Sequence, residues 1–594
     1  MNIQTPITPD SIAAACNGKL VRLNGPLKFT VKNGLVQVKK LKGDKTVLMP
    51  VCDPFEVVAR TYDNEGQGSG LVVRFAADRI GQPIVELTVK RSDLLSRPKN
   101  VVATLSDHGL WVSGNKDAAQ LVAELLSMFR PNEDVVTVAR AGWYGTTFVS
   151  PTYEVFGDQA DQYRLLEGAG YEDPGKSGDL EGWKRAVAAA LTCENGDFLC
   201  VGLLSGFTGT LVDLLDEQTS PILNFAGTTS RGKTTAHRLG ASVFGNPMRG
   251  AALQQFNVTI NAIEAIAERA TGSLLAIDEG AQSGMDGKAY QKAIFDLAGS
   301  SGKRRLTAAA SERKARRWST CITISEEIGF ANKVKRDGRN AAAGAVARCW
   351  EISVEDAAIL NGETLAKIDG IKQHYGHAAP IFIQHLIDEG YTADPDLIRA
   401  RVSAAQTDLT EKTDAPQARR VASAAALVLV AGELAQEAGL IAEDYDVSGA
   451  VAHVLKRSKD LMAQDMDPLD TALSNLREGV VRRLGVDVVD LCYDEEHQNR
   501  EVVAFYGYPD GENFTSADSD RSHHERVYFI PGDQMFKFGG GNVSSTSMAK
   551  ALKKDGFLVD APGNNNQWSS VPGIGQIKHY RVSGAFFHDT EKWD

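Results

Sequence analysis

The sequence predicts an α/β fold: a parallel sheet with flanking helices at its centre, a β-rich region before it, and a helical stretch and a small mixed module after it. Three observations carry that expectation. An apolar run, Ile222 to Ala226, enters the glycine-bounded loop Gly227-Thr228-Thr229-Ser230-Arg231-Gly232-Lys233-Thr234, and helical spacing follows. A second apolar run, Ser273 to Ile277, ends in two carboxylates, Asp278 and Glu279. Earlier, Leu27, Phe29 and Val31 alternate up to Asn33-Gly34, and Val36 and Val38 alternate away from it, which reads as a hairpin.

Taken in order, residues 1–166 read as a β-rich N-terminal domain, with further strands at 71–75 and 83–89 and a helix from Ala118 to Phe129. The glycine-rich stretch 167–178 reads as a linker. Residues 179–355 form the central domain, opened by a helix from Leu180 to Leu191. Within it, Thr235 to Phe244 and Thr259 to Arg269 have helical spacing, and Cys321 to Ser325 is a further apolar strand. Residues 356–480 are alanine-rich and helical, as a lid or bundle would be. Beyond 481 the spacing predicts helix 531–538, helix 544–554, strand 557–560 and strand 578–583, with a Gly/Asn-rich turn at 563–566. That order is compatible with a winged-helix-like C-terminal module. Residues 511–526 read as an exposed loop, and its His523 and His524 lack a third metal ligand at useful spacing.

Whole-chain properties narrow the class. The 594 residues are 43% hydrophobic and 24% charged, an ordinary globular composition, and no apolar run reads as membrane-spanning. No basic-then-apolar leader opens the sequence. Seven cysteines without a C-x-x-C pair point to a reducing, cytoplasmic setting rather than a disulfide or zinc framework. The formal net charge of −12 argues against a broad basic face that coats nucleic acid. Charge is nevertheless uneven: Lys303 to Arg339 holds eleven Lys/Arg against four Asp/Glu. That segment is either a narrow anion-facing surface or a solvated charged hairpin.

The loop 227–234 carries the clearest chemistry. A strand, a glycine-bounded loop and a helix N-terminus aim backbone N–H groups and the positive helix end at one point, as phosphate binding requires. Lys233 would reach the β- and γ-phosphates of ATP, and the Thr234 hydroxyl would take a place on Mg²⁺, with Thr235 following at the helix start. The same G-x4-G-K-[ST] pattern also occurs at Gly170 to Ser177. There Glu172 and Asp173 would repel phosphate, Pro174 offers no N–H, and no strand leads in. The reading therefore assigns phosphates to 227–234 alone.

Asp278 and Glu279 follow Lys233 by about 45 residues, as an ATPase's carboxylate pair does. Asp278 would hold Mg²⁺, and Glu279 would orient and deprotonate the attacking water. Thr323 or Ser325 would sense the γ-phosphate if their strand lies between the other two; either also reads as a satisfied core hydroxyl. Arg348, ahead of another apolar stretch, reads as an arginine completing a neighbour's site or as a surface ion pair.

These residues resemble the family catalogued as domain of unknown function 927, helicase-like proteins of phages and mobile elements. The matching pieces run from Gly142-Trp143 through Trp183, the loop 227–234, Asn261 to Glu264, Leu274 to Glu279, Tyr290, Gly302 to Arg304 and Trp318 to Gly344–Arg348. One departure is Thr323-Ile324-Ser325-Glu326 where the family carries a Ser/Thr-Gly-Glu run. The resemblance implies an AAA+-like P-loop ATPase similar to minichromosome-maintenance-type hexameric helicases, acting as a ring on single-stranded or forked DNA. It also implies that Lys303, Arg304, Arg305, Arg313 and Lys314 project on a hairpin into the ring's pore. Two other readings use the same pocket: a nucleic-acid-binding ATPase switch without unwinding, and an oligomeric scaffold held together by ATP.

Overall fold

The computed structural model describes residues 7–23, 28–42, 45–77, 84–171, 175–217, 219–248, 252–255, 260–278, 287–302, 305–306, 312–313, 315–330, 348–412, 414–465, 468–490, 502–510, 513–515, 522–541, 543–559, 566–571 and 575–588. Two compact units make up the chain. The first comprises Met1–Met285, Lys292–Gly329 and Ala347–Leu455, and the second Asp286–Gln291, Phe330–Val346 and Lys456–Asp594.

The first unit begins with the hairpin expected at Asn33-Gly34. Both residues take positive φ, 53° and 74°, which suits a tight turn between the twisted strands Phe29–Lys32 and Leu35–Lys42. A five-stranded sheet follows, ordered Tyr163–Leu165, Asp134–Val138, Phe55–Tyr62, Gly70–Ala76 and Ile84–Lys90. This region also carries four helices among its described residues, Pro9–Arg22, Arg91–Ser96, Pro98–Asp107 and Ala118–Met128, beside its strands. The first has a local cause: Thr8 and Ser11 form a reciprocal capping box ahead of Pro9.

The central sheet is parallel. Its strands are β1 (Ile222–Ala226), β2 (Leu253–Gln255), β3 (Leu274–Asp278), β4 (Cys321–Glu326) and β5 (Cys349–Ser353). Their order is β2-β3-β4-β1-β5, so the strand carrying Thr323 and Ser325 lies between the two motif strands. Every residue of β1, β3 and β4 is buried, as expected for strands covered on both faces.

Helices α1 (Leu180–Leu191), α2 (Gly196–Leu214) and α3 (Lys233–Ala241) belong to this layer. Contrary to the expectation that no apolar run is membrane-spanning, α2 is apolar enough by length and composition to cross a membrane, and it is buried as a core helix. Glycines let it approach α3 closely: a Cβ on Gly202 would stand 2.7 Å from Ala236 Cβ, and one on Gly206 would stand 2.4 Å from Gly240 O. Helix Pro416–Glu437 packs along α2, within the helical region expected from the alanine-rich sequence.

The second unit has its own core. Helix α4 (Pro468–Arg482) contributes Leu473 and Leu476, which join Tyr528, Met535, Met548, Leu552 and Val582. Strands β6 (Ala504–Asp510), β7 (Val527–Pro531), β8 (Gln567–Val571) and β9 (Gly575–Ser583) run in the order β6-β7-β9-β8. Helices α5 (Gly532–Phe538) and α6 (Ser545–Lys554) fall close to the expected positions. The expected strand 557–560 is reduced to a single bridge between Leu558 and Val582. The observed hairpin is β8–β9, while residues 563–565 of the expected turn and the connection at 572–574 lie outside the described residues. Part of the 511–526 loop also pairs, with Asn513–Thr515 folding back on β6.

Candidate nucleotide site

β1 delivers the chain to the loop at the carboxyl end of the parallel sheet, where open α/β sheets place their ligands. The turn needs left-handed backbone. Gly227 has φ +149° and Gly232 φ +93°, and a Cβ on Gly232 would come within 3.2 Å of the Phe198 ring. Ser230 also takes φ +64°. Helix α3 then starts at Lys233, two residues earlier than its spacing suggests, which puts Lys233 and Thr234 in its first turn.

Lys233 Nζ donates to Gly227 O at 2.6 Å and Thr228 O at 2.7 Å, so its ammonium lies across the loop. Burial lowers its pKa, opposed by the carboxylates of Glu327, Asp278, Glu355 and Glu326. Thr234 Oγ1 is 3.3 Å from Asp278 Oδ2, and Ser325 Oγ donates to Asp278 Oδ1 at 2.7 Å. A cleft of about 600 Å³ opens over these groups, lined by Thr229, Ser230, Gly232 to Thr235, Asp278, Ser325, Glu326 and Glu327. The hydroxyl of Thr234 and the carboxylate of Asp278 form an all-oxygen donor pair, which fits Mg²⁺.

The two candidate sensors differ in what they touch. Ser325 lines the cleft and bonds Asp278. Thr323 is fully buried, and its Oγ1 meets His237 Nδ1 at 2.7 Å. Arg348 is not brought to this cleft: it precedes β5 at the opposite end of the parallel strands from the loop. Its guanidinium lies 4.3 Å over the Phe295 ring, beside a cavity of about 340 Å³ that Arg420 also lines. Of the basic segment, Arg305 pairs in register with Arg313 in a two-stranded ladder. Glu279, Lys303, Arg304 and Lys314 lie outside the described residues. Arg316, in the same run, is held by Glu268 at 2.5 Å.

Among the described residues, the second G-x4-G-K-[ST] copy builds nothing comparable. Lys176 Nζ is paired with Glu154 at 2.6 Å, and the next helix starts only at Leu180, capped by Asp179. Tyr171 is buried, with its hydroxyl on Ser273 Oγ at 2.5 Å and on Leu274 O at 2.8 Å. What reads as a linker is therefore a strap pinned to the start of β3.

Several residues of the site escape sequence reasoning. Glu355 accepts the Thr228 N–H at 2.8 Å, and Arg231 Nη1 donates to Ala357 O at 2.6 Å, so the segment after β5 fastens the loop. Ile359, Leu360 and Leu365 supply an apolar wall to the cleft, and Ile359 is 68% exposed. No periodicity marks them. His237 had a signal, its place four residues after Lys233 on the same helix. It is fully buried, and burial pushes its pKa down to about 4.

The quoted tryptophans are structural. Trp143 donates its backbone N–H to Asp213 and its indole N–H to Thr210 O. Trp183 donates to Ser242 Oγ, and Trp318 to Leu297 O.

The fold is therefore mixed α/β around a parallel sheet, and comparison with known proteins agrees. The family described as Domain of unknown function (DUF927) matches residues 29–317. That match takes in the N-terminal strands and stops short of Trp318 and Gly344–Arg348, which the sequence resemblance had included. A solved structure described as SCCmec type IV Cch, active helicase, superposes with a TM-score of 0.66 over 95% of this chain and 98% of that one, at 17% identity. This establishes that the two share a fold. No curated protein matches the sequence.

Proposed function

We propose that the chain is an ATP-dependent, ring-forming DNA helicase or translocase of a phage or mobile genetic element, working in the cytoplasm. The observation that carries the reading is the meeting of Thr234, Asp278 and Ser325 over Lys233 at the carboxyl end of a parallel sheet. In this reading 179–355 is an AAA+-like P-loop motor, 1–166 its N-terminal domain, 356–480 its lid, and 481–594 a winged-helix-like module. The helicase-like fold supports DNA as the substrate.

ATP's phosphates rest on the loop N–H groups of 227–232. Lys233 leaves its own loop carbonyls for the β- and γ-phosphates, and the purine lies against Ile359 and Leu365. Thr234 and Asp278 would hold Mg²⁺, which would supply charge compensation for the phosphates. Glu279 takes the proton of the attacking water, and Ser325 turns its hydroxyl from Asp278 to donate to the γ-phosphate. Arg348, facing away from its own loop, serves a neighbouring subunit's γ-phosphate. Lys303, Arg304, Arg305, Arg313 and Lys314 grip DNA phosphates in the pore, so an acidic exterior is compatible with DNA binding.

The deciding experiment is steady-state ATPase with and without single-stranded and forked DNA, beside a strand-displacement assay. The reading expects DNA-stimulated hydrolysis and displacement, both abolished in Glu279→Gln while ATP still binds. Stimulation without displacement identifies a switch, and nucleotide-dependent assembly without turnover identifies a scaffold.

A further inference from the structure

The second unit carries a surface that the nucleotide site does not use. Along β9, Lys578, Tyr580 and Val582 point to one face of the sheet and His579 and Arg581 to the other. Tyr580 and Val582 are buried with Met535, Met548 and Leu552, so that face is the one α5 and α6 cover. Trp568 on β8 is the cross-strand partner of Lys578. It therefore stands on the helix-bearing face, but past the end of the helices' cover, and is 63% exposed. By contrast Trp183, Trp318 and Trp350 are fully buried. An indole held on a strand and left to water is costly unless a ligand covers it. The hairpin is firm, because His579 on its opposite face is fully buried against the Phe529 ring at 5.1 Å.

Helix α6 borders the same face. Ser544 caps it by accepting the Ser547 N–H, and Met548, Ala549 and Leu552 turn inward. Lys550, Lys553 and Lys554 are exposed at i, i+3 and i+4, which places three ammonium groups on one outward side. The helix dipole accounts for lysines in the last turn but not for Lys550.

We infer that this face, α6 together with the β8–β9 hairpin, is a second DNA contact. Lys550, Lys553 and Lys554 hold backbone phosphates, and the Trp568 indole stacks on an unpaired base at a duplex-to-single-strand junction, with Lys578 beside it on the neighbouring phosphate. Cations on α6 and an exposed π-face on the hairpin are the two elements that hold a nucleic-acid strand, one by its phosphates and the other by its bases. An acidic protein surface would match the lysines but would leave the indole unexplained. The inference rests on the DNA reading above.

The test uses full-length protein and fluorescence anisotropy of a labelled forked oligonucleotide without ATP. Trp568→Ala is expected to weaken binding roughly 5- to 100-fold, the range of one lost base stack, while Trp568→Phe retains most of it. Lys550→Ala with Lys554→Ala is expected to weaken binding and to reduce the salt slope by about 2. Both variants keep wild-type ATPase measured without DNA, because neither touches the nucleotide cleft. Wild-type affinity and salt slope in both variants overturn the inference. So does a Trp568→Ala protein that loses affinity equally for heparin, since that marks a polyanion patch without stacking. If wild-type protein hydrolyses ATP and unwinds DNA while these variants behave identically to it, the motor reading stands and this surface falls. If the wild type shows no ATPase but the variants still lose DNA affinity, the surface stands and the motor falls.

Discussion

Residues 170–177 and 227–234 spell the same eight-residue pattern, yet one is a strap and the other a cradle. In the first, Lys176 is tied to Glu154 and Tyr171 is buried against the start of β3. In the second, a fully buried strand ends in a left-handed turn, and Lys233 opens a helix over Asp278 and Ser325. The pattern encodes a flexible turn and a cation. Only a strand before it and a helix after it turn those into an anion site, because the N–H groups must converge and the helix dipole must point at them.

Substitutions should separate the two copies, with the largest effect at the cradle. Lys233→Ala is expected to lower ATP turnover by roughly 10²–10³-fold or more, the scale of losing one charge-stabilising donor. Steady-state ATPase measures this, and a change of less than about tenfold would break the contrast, given that one donor is worth at least 10². The strap should respond through stability instead. Tyr171→Ala empties a buried aromatic site and is expected to cost about 3–5 kcal/mol in chemical denaturation. Nucleotide affinity, measured on the remaining folded protein with a fluorescent ATP analogue, should stay near wild type.

Acid should reach the cradle through His237, on the helix that follows the loop. Its folded pKa, about 4, is depressed below the ordinary 6.5, so the folded state binds fewer protons than the unfolded one in that interval. The stability tied to a neutral His237 is thus present above 6.5 and is lost as pH falls towards 4. The loss should amount to about 2–3 kcal/mol. Unfolding free energies at several pH values measure the slope, and His237→Asn should flatten it. Asp213 has the opposite sign: burial raises it to about 6, so its contribution is present below about 4 and is lost as pH rises through 6. An unaltered slope in His237→Asn would remove His237 from the account.

Ser325→Ala comes next, with ATP binding retained and turnover reduced by about tenfold, the rate equivalent of one hydrogen bond worth about 1.4 kcal/mol. Thr323→Val should act on stability through His237 rather than on turnover. The reverse result would exchange the two roles. Smallest of all is Lys176→Ala, which breaks a partly exposed ion pair and should cost no more than about 1 kcal/mol with ATPase unchanged.

Much of this was legible because the signals are local. The strand-loop-helix unit at 222–241, the apolar run ending at Asp278 and the Asn33-Gly34 turn each follow from a few neighbouring residues whose spacing matches one geometry. The start of α3 departs from its spacing because the left-handed Gly232 sets it, and Phe557 to Val559 pairs with β9 only around Leu558, where Val559 N donates to Arg581 O and Ser583 N to Phe557 O.

By itself the sequence determined which residue types could bind phosphate and metal, and in which order along the chain they come. It could not choose between Thr323 and Ser325, because neighbours two apart share one strand face, and what each touches depends on α3 packing over that face and β3 lying beside it in the sheet. Nor could it find Glu355, Ile359 or the strap's Tyr171, whose partners are about a hundred or more residues away and leave no local period. Tertiary structure decided those, since a contact between distant segments is fixed by how whole layers pack and not by any window of the chain.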